Sequence, residues 1–210
     1  MSGKLTESDL DLLVKEGNEI GSHGYSHRSL VRLRRDELKN ELAKSKALLS
    51  TYGVTSFSYP FGCLDGRIVA EVSRYYDSAR TYARGILPNR RIHLNRYSLS
   101  SFPIEGQFQT RIIPGTPDFI FSKSNLQSDS WFIITIHGRV SVNLSRIMSV
   151  FRLSNLTKEQ LESYLHDVEM RLLVRHRHFL ANFTQFCAFL VDNKDAITVT
   201  TVSAALQKLR

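Results

Sequence analysis

The chain has 210 residues, of which 42% are hydrophobic and 23% charged, with a net charge of +8. These values suit one globular domain, 1–210, with a buried core; they exclude a disordered or fibrous chain, and no apolar run approaches the roughly 18 residues a membrane span needs. Two distant cysteines, Cys63 and Cys187, exclude a disulfide framework and fit no zinc-ribbon spacing.

In chain order, Thr6 or Ser8 caps a first helix with Leu10, Leu13 and Val14 on one face, stopped by Gly17. A short segment, Glu19 to His23, follows. A longer helix is predicted over Asp36 to Tyr52, with Leu38, Leu42, Leu49 and Tyr52 at helical spacing and Gly53 closing it. Ser56 to Tyr59 reads as a strand halted by Pro60-Phe61-Gly62, then a helix from Asp65 to Tyr76 and a strand over Ser78 to Tyr82.

A strand is expected near Leu94 to Phe102. Trp131 to Ile136 is nearly all apolar and β-branched, as a parallel strand buried on both faces should be. Residues 157–174, with a Thr157…Gln160 capping box, and 178–192 read as helices. Ile197 to Val199 reads as a last strand and Val202 to Leu209 as a last helix. This alternation points to a parallel α/β sheet or barrel.

The positive charge has two local clusters, Arg28-Arg32-Arg34-Arg35 and Arg171-Arg175-Arg177. Neither accompanies a nucleic-acid-binding motif, so both are read as solvated faces and no specific nucleic-acid partner is expected. Met1 to Leu5 leads into a helical pattern without an apolar signal segment. The compartment is unassigned, with the cytoplasm as the default.

Three features can carry chemistry. His23 and His27, four apart after a short strand, can face one divalent ion, neutral imidazole being a common ligand of zinc. The competing reading is two surface histidines in a polar loop. His137 ends the apolar strand before Gly138 and is either a general acid or base or a strand-end histidine bonded to backbone. Tyr59-Pro60-Phe61-Gly62 ends another strand; it is either a plain turn or one that points a backbone amide into a cleft, where it stabilises an oxyanion.

Taken together and in this order, the motifs resemble those of the polysaccharide deacetylases, the NodB-like carbohydrate esterases. Ile20-Gly21-Ser22-His23, with His27 four residues on, is similar to the family's metal motif. Phe57 to Gly62 is similar to its Arg-x-x-Pro-Tyr-Gly turn, Ile133 to His137 to its Leu-x-His strand, and Val199 to Ser203 to its closing strand and helix cap.

The resemblance implies a distorted (β/α) barrel and metal-dependent hydrolysis of N-acetyl groups on amino sugars of a polysaccharide. It implies that His23 and His27 hold a divalent metal, usually zinc, and that His137 is the general acid. It also implies that the turn at Tyr59 and Phe61 helps to hold the oxyanion through the Phe61 amide. The family opens on a strand ending in two adjacent aspartates, a catalytic base and a third metal ligand; this sequence has no Asp-Asp pair and lacks the turn arginine. Asp9 and Asp11 fall on the first helix, and Asp77 is a loose candidate for the carboxylate that tunes His137.

The expected architecture is therefore an incomplete barrel, its first βα segment missing and its open sheet edge available for self-association. Two function classes follow. One is a deacetylase that binds its metal weakly and turns over slowly or not at all as this chain. The other is a catalytically silent barrel that binds a carbohydrate or a partner.

Overall fold

The computed structural model describes residues 5–82, 89–91, 94–103, 130–135, 184, 187–188, 190–192, 194–195 and 198–208. The chain divides into two compact units. The first comprises Met1–Phe102, Ser122–Ile134 and Thr198–Arg210; the second comprises Pro103–Phe121 and Thr135–Ile197. In the second unit, Thr184, Cys187, Ala188 and Leu190 to Asp192 are helical, within the helix expected over 178–192. The helix expected over 157–174 lies outside the described residues, as does His137.

The first unit opens with helix α1 (Glu7–Lys15). Thr6 caps it through a reciprocal box: the Asp9 N–H donates to the Thr6 hydroxyl, and Asp9 accepts from the Thr6 N–H and hydroxyl. No α1 residue is buried, so the expected inward face of Leu10, Leu13 and Val14 does not form a core contact. The cap, the helix's own hydrogen bonds and the Tyr52 hydroxyl on Asp11 hold this helix, rather than a buried face.

Helix α2 (Arg35–Leu48) differs. It buries Leu38, Glu41, Leu42 and Ser45, one stripe at helical spacing, and ends in a 3₁₀ turn, Ser50–Tyr52. Glu37 in its first turn accepts from the Arg34 N–H, a favourable place for an acid at a helix start. Leu38 and Leu42 join Leu30, Val54, Phe57, Ile68 and Val72 in the main core.

Strand β1 (Ser56–Ser58) leads through the Pro60–Gly62 turn to helix α3 (Gly66–Val72), whose N-cap Asp65 accepts from the Ile68 N–H at 2.9 Å. Next come β2 (Ser78–Tyr82), β3 (Asn89–Arg90), β4 (Leu99–Pro103), β5 (Ser130–Trp131) and β6 (Ile133–Thr135), then helix α4 (Val202–Lys208).

A four-stranded parallel sheet takes the order β1-β2-β4-β6, with Ser56 opposite Ser78 and Arg80 opposite Leu99. Ser22 adds a parallel bridge on the outer side of β1, where its N–H donates to Ser56 O and its carbonyl accepts from the Ser58 N–H. The expected α/β fold, an incomplete barrel, is thus present.

Three expectations need correction. Trp131 to Ile136 is not one strand. The chain breaks at Phe132, β5 pairs antiparallel with β3, and only β6 joins the parallel sheet. An apolar run specifies burial but not which sheet each half joins. The strand near Leu94 begins only at Leu99, after a turn in which Ser98 N–H bonds Asn95 O. Thr198 to Thr200 form no strand, and Val199 is 72% exposed, so the segment has no buried face to fix it in a sheet.

Leu206 of α4 still packs with Leu99 and Ile133. Among the described residues, no helix is long and apolar enough to cross a membrane.

Candidate active site

Two loops at the C-terminal ends of neighbouring sheet segments meet. The first, residues 23–27, leaves the sheet at the Ser22 bridge. The second is the turn after β1. Buried Ser22 is fixed by hydroxyls: its Oγ lies 2.5 Å from Ser45 Oγ of α2 and accepts from the Tyr76 hydroxyl at 3.0 Å.

His23 follows directly. Its Nδ1 is 2.7 Å from the carbonyl oxygen of Ser58. A carbonyl only accepts, so Nδ1 carries the proton, and in the neutral ring the lone pair sits on Nε2. This is the arrangement that orients metal-binding imidazoles elsewhere: one nitrogen bonded to backbone, the other turned to the ion.

His27 lies beside it, the ring centres 4.8 Å apart and nearly edge to face. Two imidazoles on one ion at zinc–nitrogen distances hold their ring centres about 5 Å apart. That spacing lets both rings face one ion and is equally that of an ordinary edge-to-face ring pair; both residues are exposed. Among the described residues, no third His, Cys, Asp or Glu completes such a group.

Phe61 closes the other side of His27, its ring centre 4.8 Å away and its side chain 61% exposed. The turn that carries it is tightly bound. Gly62 N–H donates to Tyr59 O at 2.9 Å, and the Thr81 hydroxyl donates to Gly62 O at 2.6 Å. Tyr59 itself points into the core. Its ring meets Phe57, and its hydroxyl donates to Tyr97 O at 2.9 Å. Burial, and the neighbouring Tyr97, push its phenol well above the ordinary value. Arg80 on β2 donates to Ser101 Oγ at 3.2 Å, and burial lowers its pKa.

The structure thus brings His23, His27 and Phe61 together and sends the Tyr59 side chain elsewhere. The carboxylates raised as candidates serve other purposes. Asp9 belongs to the Thr6 cap, and Asp11 accepts from the Tyr52 hydroxyl at 3.1 Å. Asp77 stands just before β2, whose Ser78 pairs with Ser56, so it is at the N-terminal end of the sheet, opposite the histidines.

Glu41, Ser45 and Tyr76, which support the histidine loop, were not singled out in the sequence. The signal for Glu41 was there: a carboxylate between Leu38 and Leu42 on the apolar stripe of α2.

Fold and site together define an α/β half-barrel with a paired-histidine loop at its strand ends. Residues 4–76 match the family model for polysaccharide deacetylases, which bears out the resemblance over this N-terminal segment. The comparison with curated proteins gave no match.

Among solved structures, the chain is similar to the putative polysaccharide deacetylase BA0330 from Bacillus anthracis, at 27% identity and a TM-score of 0.40, over 47% of this chain and 32% of that one. It is similar to BC0361, a polysaccharide deacetylase from Bacillus cereus, at 30% identity and a TM-score of 0.37, over 40% and 28%. The Bc1960 peptidoglycan N-acetylglucosamine deacetylase aligns at 15% identity and a TM-score of 0.38, over 62% and 52%. The chain thus spans about a third of the first of these structures.

Proposed function

We propose that the protein acts on N-acetylated polysaccharides or oligosaccharides, hydrolysing the acetamido group of an amino sugar with a divalent metal, zinc by preference, held by His23 and His27. The observation that carries this reading is the paired-imidazole geometry, with His23 locked by its bond to Ser58 O, inside the segment that matches the deacetylases.

Such a metal supplies Lewis acidity toward the acetyl oxygen and toward a bound water. The protein's own groups position the pair. Ser58 O holds the His23 ring in place, and the Phe61 ring packs edge to face on that of His27. The resemblance gives His137, which lies outside the described residues, the role of general acid toward the leaving amine.

A second reading is supported by one observation: no third donor joins the pair among the described residues. It is a barrel that binds carbohydrate without cleaving it. Acetate release from N-acetylglucosamine oligomers, with zinc or cobalt added, separates the two. The first reading expects slow, metal-stimulated release that chelator and His23→Ala abolish. No carboxylate joins the pair among the described residues, and the lack of a general base costs about 10²–10⁴ in rate. Saturable oligomer binding with no acetate released overturns it in favour of the second.

A further inference from the structure

We infer that Glu41 is the positioning residue for His27, acting through Ser26; the inference rests on reading His23 and His27 as a metal pair. Glu41 lies on the buried stripe of α2 and is only 6% exposed. Burying a carboxylate is costly unless its oxygens are bonded, and an apolar side chain would suit a stripe shared with Leu38 and Leu42. Both oxygens are committed to one residue. Oε1 accepts from the Ser26 N–H at 2.6 Å, and Oε2 accepts from the Ser26 hydroxyl at 2.8 Å.

Ser26 directly precedes His27, whose backbone is left-handed at φ 55°. Residues other than glycine adopt that conformation only occasionally, histidine more readily than most. The two-point grip on the preceding peptide holds the loop in it. The loop is also shaped to reach the carboxylate: Gly24 has φ 82°, and a Cβ there would stand 3.1 Å from Glu41 Oε1.

Released from Glu41, residues 24–27 are free to relax toward ordinary backbone conformations, which carries the His27 ring away from His23 and Phe61. A carboxylate rather than an apolar residue at position 41 is thus explained by the geometry of the pair, not by the stability of α2.

The test is a cobalt titration of the intact protein, followed by visible absorption and by calorimetry, for wild type, Glu41→Ala, Glu41→Gln and Ser26→Ala. Partners of metal ligands typically contribute about 10–100-fold in affinity. Glu41→Ala is expected to bind cobalt at least about tenfold more weakly and to change the ligand-field spectrum. Glu41→Gln, which keeps one acceptor for the Ser26 N–H and offers an N–H to its hydroxyl, is expected to restore most of the affinity. Ser26→Ala, exposed and harmless to the core, keeps the backbone bond and is expected to fall between.

If Glu41→Ala does not fold, Ser26→Ala decides. Wild-type affinity and spectrum in whichever of these two variants folds overturn the inference. Failure of the wild type itself to bind cobalt overturns the metal-pair reading instead.

Discussion

His27 and Phe61, at φ 55° and 61°, are the two non-glycine residues with left-handed backbone among the described residues, and their rings meet 4.8 Å apart. Each conformation costs about 1–2 kcal/mol relative to ordinary backbone. Two such residues in contact, from separate loops, mark the place where the fold gives up stability to set side-chain geometry.

That view makes Phe61→Gly informative. Glycine relieves the left-handed cost, and the lost ring is mostly exposed, so little burial is forfeited. The unfolding free energy is expected to stay within about 1 kcal/mol of wild type or to rise. A fall of more than about 2 kcal/mol in denaturant unfolding would show that the ring is there for packing.

Two glycines with similar backbone separate strain from crowding. Gly53, φ 59°, has nothing within 4 Å of a built Cβ, whereas at Gly62, φ 67°, that atom would lie 2.5 Å from Tyr82 Cβ and 2.9 Å from its backbone nitrogen. Gly53→Ala is expected to cost about 1 kcal/mol, the left-handed penalty alone. Gly62→Ala must also displace β2 and is expected to cost at least about 2 kcal/mol more by the same measurement. Equal costs would refute the crowding argument.

The helices are expected to differ in what they contribute. Leu42 is fully buried in the main core, while Leu12 of α1 is 53% exposed. Leu42→Ala should destabilise by about 2–5 kcal/mol and Leu12→Ala by less than about 0.5 kcal/mol in chemical denaturation. A Leu12→Ala cost comparable to that of Leu42→Ala would mean that α1 is held by packing after all.

Tyr59 sets an alkaline dependence. Its pKa in the folded protein is raised by burial, so the stability linked to it is intact below the ordinary tyrosine value near 10 and is lost as pH rises beyond it. Wild-type stability is expected to fall above about pH 10 more steeply than that of Tyr59→Phe. Parallel profiles would show that Tyr59 ionises as freely in the folded chain as in the unfolded one.

Much of this was legible in the sequence, and the residues show why. Thr6, Gly17, Asp65 and Gly53 act through local backbone chemistry, and each bounds its helix as their types dictate. The His23–His27 spacing was readable because four residues of loop bring two rings together. The division of Trp131 to Thr135 between two sheets was not, since strand partners are chosen by distant segments such as Asn89–Arg90. Nor was the support for the loop. Glu41 and Tyr76 reach it only through tertiary packing, and an acid on an apolar stripe reveals its partner only when the fold supplies Ser26.

The central claim is that His23 and His27 share one ion, and a calorimetric zinc titration of wild type, His23→Ala and His27→Ala tests it most directly. Proton competition for imidazole makes the binding weaken as the solution is acidified. The account expects one saturable zinc site in the wild type and affinity at least about tenfold lower in each variant, because each removes half of the histidine pair. Undiminished zinc affinity in either variant would contradict it.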